Sequence, residues 1–464
     1  MKRFFGNKIA FLVLGAVLFS ACSLEPRPTG DESIEYIVVS ESSKSESSYA
    51  AENPKADEDI DFGIKSESPQ QAASESKSSE SEKPEEKTEK ENETDNTFEE
   101  VKAVWISFLD FETILTGKSE VEFTTSISAA FDNIEQMGLN TVFVQVRPFA
   151  DAIYKSEYFP WSYIATGTEG VDPGYDPLEI MVAEARKRNL KIEAWLNPYR
   201  VRSAGSDKAL SAGNTAGIWL AEENSAVKQY GGVISYNPAD PAAQELIVNG
   251  AREIIRNYDV DGIHIDDYFY PHTDPEFDSS EYKAYRDSGG ELSLADWRRE
   301  NVLTLVKKLY SAIKEERAAA VFGISPQSSI ENNYNSQYLD VEEITSKPGY
   351  CDYICPQVYF GFENDIQPFG RTMSVWSEMI KTDDIKLYAG LAVYKTGLTD
   401  SYAGRGKAEW QENDNLMQRM IEYSRELEYY SGFALYRYDS IFNPADRVQA
   451  HVDREMRNLD SIIK

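Results

Sequence analysis

Cysteine is rare in this chain, with three residues among 464. Cys22 lies in a different sequence context from Cys351 and Cys355, so the pattern does not predict a disulfide framework. If the segment around the last two is extended, their Cα atoms lie about 13 Å apart, which is beyond the reach of a disulfide. We therefore interpret Cys351 and Cys355 as small buried residues.

Histidine is equally rare, and this limits the metal sites that the chain can build. A histidine-rich metal centre needs closely spaced ligands, whereas no histidine here has a close histidine partner. The three are His264, His272 and His451. The sequence therefore argues against a histidine-rich metal centre, whereas a structural calcium site built from carboxylates alone stays open.

Positive charge is also scarce. The chain has 47 Lys and Arg residues against 79 Asp and Glu residues, which gives a formal net charge of −32. Such a surface repels the phosphate backbone of nucleic acids, whose binding depends on basic side chains. We therefore predict that nucleic acid is not a partner of this protein.

Residues 1–21 are typical of an export signal. Three basic residues accompany an apolar run, 9–19, that is too short for a stable membrane span. Cys22 follows a Ser-Ala pair, which resembles a bacterial lipoprotein processing site, although Phe19 stands where leucine is usual. We predict cleavage before Cys22, lipidation of Cys22 and an extracytoplasmic location on the bacterial cell membrane. Secretion or retention as an uncleaved anchor are the alternatives.

Residues 22–97 are dominated by Ser, Glu, Lys and Asp and contain few aromatic residues. Such a composition cannot bury enough apolar surface to fold. We predict a disordered acidic tether that lets a folded domain, residues 98–464, work well beyond the membrane surface.

Residues 98–464 alternate between strand and helix patterns. Eight apolar β-like runs are separated by stretches with helical periodicity, which is typical of right-handed βαβ crossovers. The predicted strands are 101–108, 141–146, 191–197, 262–266, 321–325, 353–359, 387–394 and 432–438. The predicted helices include 126–137, 177–188, 242–257, 297–316, 376–381 and 415–427. Eight such units predict an α/β fold, a (β/α)8 TIM-like barrel with long upper-face loops.

The most informative motif is GIHIDDYFYP, which begins at Gly262. Two adjacent carboxylates, Asp266 and Asp267, directly follow an apolar strand there. Because the carboxyl ends of barrel strands form the active site, both acids are candidate catalytic residues. His264 and Asp266 alternate on one strand face, so Asp267 is turned toward the loop. The alternative is that one acid caps the next helix or forms a salt bridge.

Five segments, in order and at barrel spacing, resemble the glycosyl-hydrolase-like family 10 of bacterial lipoproteins. They are VKAVWISF from Val101, FVQVRPFADAIY from Phe143, AWLNPYR from Ala194, GIHIDDYFYP from Gly262 and CPQVYF from Cys355. The resemblance implies a TIM-like barrel that acts on a glycan. One characterised branch of the family cleaves peptidoglycan glycan strands that lack stem peptides, which implies a cell-wall substrate here.

Two positions depart from the pattern expected of that family. Glu193 stands where histidine is expected, and Asp439, within LYRYDSIF, stands where glutamate is more usual. Aspartate is one methylene shorter than glutamate, so a catalytic Asp439 would change the separation of the carboxyl groups. Retention or inversion of the anomeric configuration is therefore left open.

The predicted reaction is hydrolysis of a glycosidic bond by two carboxyl groups. One protonates the leaving oxygen, and the other attacks the sugar or activates water. Asp266 is the first candidate. Asp267 either holds Asp266 or is the acid itself, because two close carboxylates raise one pKa. Asp439 and Asp151 are the next candidate partners, and Glu193 is a weaker one.

Sugar binding needs flat apolar surfaces and fixed polar groups, and the strand ends supply both. The predicted substrate-binding residues are Gln145, Arg147, Asp151, Trp195, Asn197, Arg200, His264, Tyr268, Gln357 and Tyr359. Each group has an alternative interpretation. In the alternative, the aromatic residues belong to the core of the barrel, Arg147 forms a structural salt bridge, and His264 is a buried histidine with satisfied hydrogen bonds.

Two functions of other classes stay open. A glycan-binding barrel without catalysis would keep the aromatic residues and tolerate the loss of Asp266. A metal-dependent amino-sugar deacetylase would use Asp266, Asp267 and histidines as ligands, but it needs more histidine than the chain has. We predict a glycosidase without cofactor or metal. Its partners are a cell-wall glycan as substrate and, through the lipid on Cys22, the membrane.

Overall fold

Residues 99–464 are the part of the chain that the computed structural model describes. The predicted export signal (1–21), the lipidation site at Cys22 and the tether (22–97) lie outside the described residues. Within residues 99–464 the chain forms eleven strands, β1 to β11. In chain order they are Val101–Ile106, Thr141–Arg147, Lys191–Leu196, Arg200–Arg202, Val227–Tyr230, Val233–Tyr236, Gly262–Ile265, Val321–Ile324, Tyr353–Ile354, Lys386–Ala392 and Tyr430–Tyr436.

Eight of these strands close a parallel barrel. Its order is β1, β2, β3, β7, β8, β9, β10 and β11, and β11 pairs with β1 to complete the ring. All eight predicted strands are confirmed, and so is the (β/α)8 fold. β9 has only two residues, fewer than predicted, because Pro356 has no N–H to continue the ladder. Beyond it, Gln357 makes single bridges to Gln327 and Gly390.

Fifteen α-helices, α1 to α15, accompany the strands in the described part of the chain. They are Phe111–Ile114, Glu120–Gln136, Tyr163–Thr166, Pro177–Arg186, Thr215–Ala221, Pro241–Asn257, Ser279–Asp287, Leu294–Glu316, Ile330–Asn335, Val341–Ser346, Phe369–Met379, Glu409–Glu412, Leu416–Arg425, Tyr438–Phe442 and Asp446–Ile463. Two 3₁₀ helices, Val393–Lys395 and Gly404–Ala408, follow β10. None of the helices in residues 99–464 has the length and apolar character needed to cross a membrane.

Some elements differ from the sequence prediction. The helix predicted at 376–381 is α11, which begins earlier, directly after Pro368, and ends at Met379. The C-terminal helix α15 was not predicted, because its buried stripe of Val452, Leu459 and Ile463 is narrow among many charged residues. The sheet formed by β4, β5 and β6 was also not predicted. It is antiparallel and lies in the long segment between β3 and β7.

Aromatic side chains fill the interior of the barrel. Gly323 in β8 makes room for the ring of Tyr353, because an added Cβ would lie 1.8 Å from that ring. The other large residues of this layer are Trp105, Phe143, Trp195 and Tyr388. Cys355 belongs to the same layer, and it and Cys351 are buried free thiols. Their interpretation as small buried residues is confirmed.

A buried ion pair holds the loop that follows β7. Arg298 on α8 donates to both carboxylate oxygens of Asp278, from Nε at 2.8 Å and from Nη2 at 2.5 Å. Tyr270 donates to the same carboxylate, and Arg298 also donates to the carbonyl oxygens of Thr273 and Asp274. Both charged side chains are fully buried. This contact therefore fixes the path of the loop that carries the paired acids.

Replacement of Arg298 tests this anchor. Arg298→Met should lower the free energy of unfolding by roughly 3–5 kcal/mol, because it leaves the carboxylate of Asp278 buried without its partner. Lys283→Met is the matched control. It breaks an ion pair with Asp287 in which the side chains are 74% and 64% exposed, and such pairs contribute little. Urea denaturation measures both, and equal losses in the two variants would contradict the prediction.

Candidate active site

Two carboxylates follow barrel strand β7. Asp266 comes directly after Ile265, the last residue of the strand, and is 4% exposed, whereas Asp267 is partly exposed. Asn197, which directly follows β3, donates from Nδ2 to both oxygens of Asp266, at 2.6 and 2.5 Å. The ends of two adjacent strands therefore hold this acid.

Two donors orient the amide of Asn197. Its Oδ1 accepts from Nε2 of Gln145 at 2.6 Å and from Nη2 of Arg200 at 3.0 Å. Gln145 is itself oriented, because its Oε1 accepts from the backbone N–H of Phe108 at 2.9 Å. With its oxygen facing these donors, Asn197 must turn its amide nitrogen toward Asp266. Three residues predicted to bind substrate thus form one hydrogen-bonded chain that ends on Asp266.

Aromatic rings enclose Arg200. Its guanidinium carbon lies 4.5 Å from the ring centroid of Tyr268 and 4.8 Å from that of Phe149. Its Nε donates to the carbonyl oxygen of Pro148 at 2.7 Å. A planar guanidinium held in this way is a fixed positive charge near the paired acids. Tyr268 is 51% exposed, so part of its ring remains accessible to a ligand.

Asp267 is held from another part of the barrel. Gln357, which lies after β9, donates from Nε2 to Oδ1 of Asp267 at 3.2 Å and to the carbonyl oxygen of Ser325 at 3.1 Å. In the order of the ring, β3 lies on one side of β7, and β8 and β9 lie on the other. The two acids therefore bind side chains that reach them from opposite sides.

Burial raises the pKa of both acids. The pKa of Asp266 rises to about 7, through burial first and the charge of Asp267 second, against the opposing effects of Arg200 and Asn197. Burial also raises the pKa of Asp267, and the hydrogen bond from Gln357 opposes it. Near neutral pH the pair therefore retains a proton, as a general acid must.

Three tyrosines lie together after or at the ends of β9, β10 and β11. The rings of Tyr359, Tyr394 and Tyr436 are in mutual contact, with centroids 5.9, 5.8 and 6.1 Å apart. Burial raises the pKa of Tyr359 well above its usual value, so its hydroxyl stays protonated. Tyr359 was predicted as a substrate-binding residue, whereas Tyr436 was not. Tyr436 is the last residue of β11, and this position at a strand end is the feature of the sequence that could have predicted it as a site residue.

His264 lies inside the barrel. It is fully buried, its Nε2 accepts from Nε1 of Trp105 at 3.1 Å, and its Nδ1 lies 2.8 Å from the hydroxyl of Tyr353. Burial lowers its pKa to about 3, so the ring is neutral. The hydrogen bonds match the alternative interpretation of His264, a buried histidine with both ring nitrogens satisfied.

Glu193 continues the line of hydrogen bonds inside the barrel. Tyr353 donates its hydroxyl hydrogen to Oε2 of Glu193 at 2.6 Å, and burial raises the pKa of Glu193 to about 8. Since Tyr353 donates to Glu193, it accepts from Nδ1 of His264. We call Trp105, His264, Tyr353 and Glu193 the interior chain. Trp195, only 5% exposed, contacts the ring of His264 edge-on, with centroids 6.3 Å apart.

Arg147 and Asp151 belong to a second buried cluster. The guanidinium of Arg147 lies 4.7 Å from the ring centroid of Phe159, and Oδ2 of Asp151 lies 3.3 Å from Nη2 of Arg202. Burial raises the pKa of Asp151 to about 6. A register shift between Gln145 and Arg147 breaks the strand alternation, so the two do not share a face as simple alternation predicts. These contacts are made with Phe159 and Arg202, and not with the paired acids.

Asp439 lies across the barrel from the paired acids. It follows β11, which is four strands from β7 in either direction around the ring. Nη1 of Arg437 lies 3.4 Å from Oδ2 of Asp439 and 2.5 Å from Oδ1 of Asp110. The backbone N–H of Asp439 also donates to Asp110 at 3.0 Å. Asp439 and the fully buried Asp110 thus share one arginine.

Most of the predicted site residues are brought together around the paired acids. No group of three or more His, Cys, Asp or Glu side chains in residues 99–464 is arranged to hold a metal ion. Two neighbouring carboxyl groups that keep a proton can carry out acid–base chemistry. The residues collected there are Gln145, Asn197, Arg200, Asp266, Asp267, Tyr268 and Gln357.

Two proteins named as glycosyl hydrolases resemble the chain in sequence. The chain is 35% identical over 355 residues to Glycosyl hydrolase YngK of Bacillus subtilis (strain 168). The match covers 72% of this chain and 67% of that protein. The chain is 30% identical over 352 residues to Glycosyl hydrolase DigH of Escherichia coli (strain K12). The match covers 71% of this chain and 78% of that protein. Residues 100–404 match the family described as Glycosyl hydrolase-like 10.

Among solved structures, the glycoside hydrolase domain of PgaB (BpsB) from Bordetella bronchiseptica has a similar fold. The TM-score is 0.50 at 12% sequence identity, and the match covers 77% of this chain and 99% of that one. At this identity the likeness concerns the fold alone, and it agrees with the barrel described above. By its sequence, the chain belongs to the glycosyl hydrolase-like 10 family, and it is a glycosidase that acts on a glycan.

Proposed function

We propose that this glycosidase hydrolyses the glycan strands of peptidoglycan, with Asp266 and Asp267 as its acid–base pair. The observation that carries the proposal is the pair of adjacent carboxyl groups, one of them bound at both oxygens by Asn197. An acid with a pKa of about 7 can protonate a leaving oxygen at neutral pH. The fixed positive charge of Arg200 stabilises the ionised carboxylate of the pair in this buried site.

The remaining residues divide into two proposed roles. Gln145, Asn197 and Arg200 position Asp266, because their polar groups are used in contacts with each other and with that acid. The sugar contacts are assigned to residues that keep accessible surface near the pair. These are Tyr268, Gln357 and Tyr359.

We further propose that the protein works outside the cytoplasm, held on the membrane by a lipid on Cys22. Residues 1–22 have the order of a lipoprotein signal, and residues 22–97 have the composition of an extended tether. A glycosidase on such a tether reaches an extended polymer near the membrane. This location supports a cell-wall glycan as the substrate.

Asp266→Asn should reduce the turnover of peptide-stripped peptidoglycan strands by at least about a hundredfold, as loss of a central acid–base group does. The amide has the size of the acid, so folding and binding to the strands should persist. Mass spectrometry of the products measures turnover, and co-sedimentation with the strands measures binding. A parallel digestion with EDTA tests for metal-dependent deacetylation. If the protein releases acetyl groups and EDTA blocks that release, it is a metal-dependent deacetylase.

Asp110→Asn is the matched variant, because Asp110 is another buried acid near a strand end. Loss of turnover in Asp110→Asn, with Asp266→Asn near wild type, would contradict the assignment. Wild-type protein that stays on the strands without cleaving them would favour the glycan-binding barrel.

The pH dependence of turnover tests the shared proton. Turnover should fall as pH rises through about 7, because the pair then loses the proton that it donates. Asn197→Ala removes two hydrogen bonds that favour the ionised form of Asp266, so the falling limb should move to higher pH. Asp267→Asn removes the negative charge next to Asp266, which lowers the pKa of Asp266. The turnover that remains in this variant should therefore fall at a lower pH than in wild type. Profiles of kcat/KM that superimpose for all three proteins would contradict this.

Lipidation can be measured directly in bacteria that express the full chain. Cys22→Ser should abolish the incorporation of a labelled fatty acid, because the thiol that carries the lipid is lost. Cys351→Ser is the control, since Cys351 is a buried free thiol of the folded domain, and it should label like wild type. Undiminished labelling of Cys22→Ser would reject Cys22 as the anchor. Unlabelled wild type in the culture medium would favour secretion.

A further inference from the structure

Asp266 and Asp267 are consecutive residues, and this limits how they can act on one sugar. Their Cα atoms are about 3.8 Å apart, so both acids approach a bound sugar from the same part of the barrel rim. Mechanisms with two enzymatic carboxyl groups place them on opposite sides of the scissile bond, about 5–5.5 Å apart for retention and about 6.5–9.5 Å apart for inversion. Neighbours at one strand end do not flank a sugar ring in this way.

The other acids near the ends of barrel strands are held by arginine. In residues 99–464 they are Asp110, Asp151 and Asp439. Asp110 is fully buried and lies 2.5 Å from Arg437, and Asp439 lies 3.4 Å from the same arginine. Asp151 is fully buried beside Arg202. Although Asp439 lies across the barrel from the paired acids, each of these three carboxylates is engaged by an arginine and is not a free nucleophile.

We propose that the attacking group is the 2-acetamido group of the sugar itself, so that the cleaved ring must carry an N-acetyl group. The inference rests on the proposed function and names the group on which the same pair acts. The leaving oxygen on C1 and the acetamido nitrogen on C2 are neighbouring substituents of one ring. Two neighbouring carboxyl groups match these two substituents, with one carboxyl group at each. Both sugars of a peptidoglycan strand carry the required group.

The first step closes a ring on the substrate. The acetamido carbonyl oxygen forms a bond to C1 while the bond from C1 to the leaving oxygen breaks. The protonated acid of the pair gives its proton to the leaving oxygen. The ionised acid accepts the proton of the acetamido N–H, which leaves a neutral oxazoline.

The second step restores the acetamido group. Water attacks C1, and the bond from C1 to the oxazoline oxygen breaks. The acid that lost its proton takes one from the water, and the other acid returns its proton to the nitrogen. C1 is inverted twice, so the product keeps the configuration of the substrate, and no oxidant, reductant or further reactant is consumed.

The contacts of the pair suit this division of work. Asp266 accepts from Asn197 at both oxygens, and Asp267 accepts from Gln357 at one. The two carboxyl groups are thus held separately while they remain neighbours. Burial raises the pKa of each, which keeps one proton on the pair near neutral pH. One protonated and one ionised acid is the state from which the first step begins.

A graded series of one polymer tests the inference. Peptide-stripped strands are de-N-acetylated and re-acylated with acetyl, fluoroacetyl, difluoroacetyl or trifluoroacetyl groups, and the full-length protein digests each. Fluorine withdraws electrons from the carbonyl oxygen, which weakens it as a nucleophile but changes the size of the group little. Turnover should fall stepwise, by at least about a hundredfold across the series. NMR should show retained configuration at the new reducing ends.

Each other outcome has a separate meaning. Retention with equal turnover across the series would overturn the inference, because the nucleophile would then belong to the protein. Inversion would also overturn it, because water would then attack the glycoside directly. In both cases the hydrolysis of peptidoglycan strands would stand. No cleavage of re-acetylated strands that a muramidase control digests would reject the proposed function, and the inference with it.

Discussion

The hydrogen bonds from Asn197 to Asp266 connect the chemistry of this protein to the register of its barrel. β3 and β7 are parallel neighbours in which Leu196 pairs with Ile265, so the residues that follow these two must lie side by side. Gln145 in β2 extends the contact to a third strand. The position of the central acid therefore follows from backbone pairing, which places side chains more precisely than a loop does.

Stability and chemistry at this site have a common origin in burial. Two ionised carboxylates next to each other in a buried site are unfavourable, both through lost solvation and through mutual repulsion. A shared proton removes one of the two charges, and Arg200 lies close enough to balance the other. The same proton is the one that a general acid donates. The loop that follows the pair is held by the fully buried Arg298 and Asp278, which opposes relaxation of this unfavourable arrangement by movement of the loop.

The sequence was sufficient to predict the barrel and the paired acids. Eight apolar runs mark the strands, and two adjacent aspartates after one of them stand out without any structure. The use of Asn197 and Gln145 was not predictable, because a polar residue at a strand end can bind substrate or another side chain. The positions of the neighbouring strands decide which of these two roles such a residue has. Arg147 was expected at the site because it stands at a strand end, and the register shift in β2 between Gln145 and Arg147 was not visible in the sequence.

The interior chain gives the floor of the barrel a constant charge over a wide range of pH. Burial lowers the pKa of His264 to about 3 and raises the pKa of Glu193 to about 8. Between these limits Trp105, His264, Tyr353 and Glu193 carry no net charge. At about pH 7, where Asp266 titrates, the interior chain is therefore still mostly uncharged. The protonation of Asp266 is set by burial and by its partners at the rim, Asp267, Arg200 and Asn197.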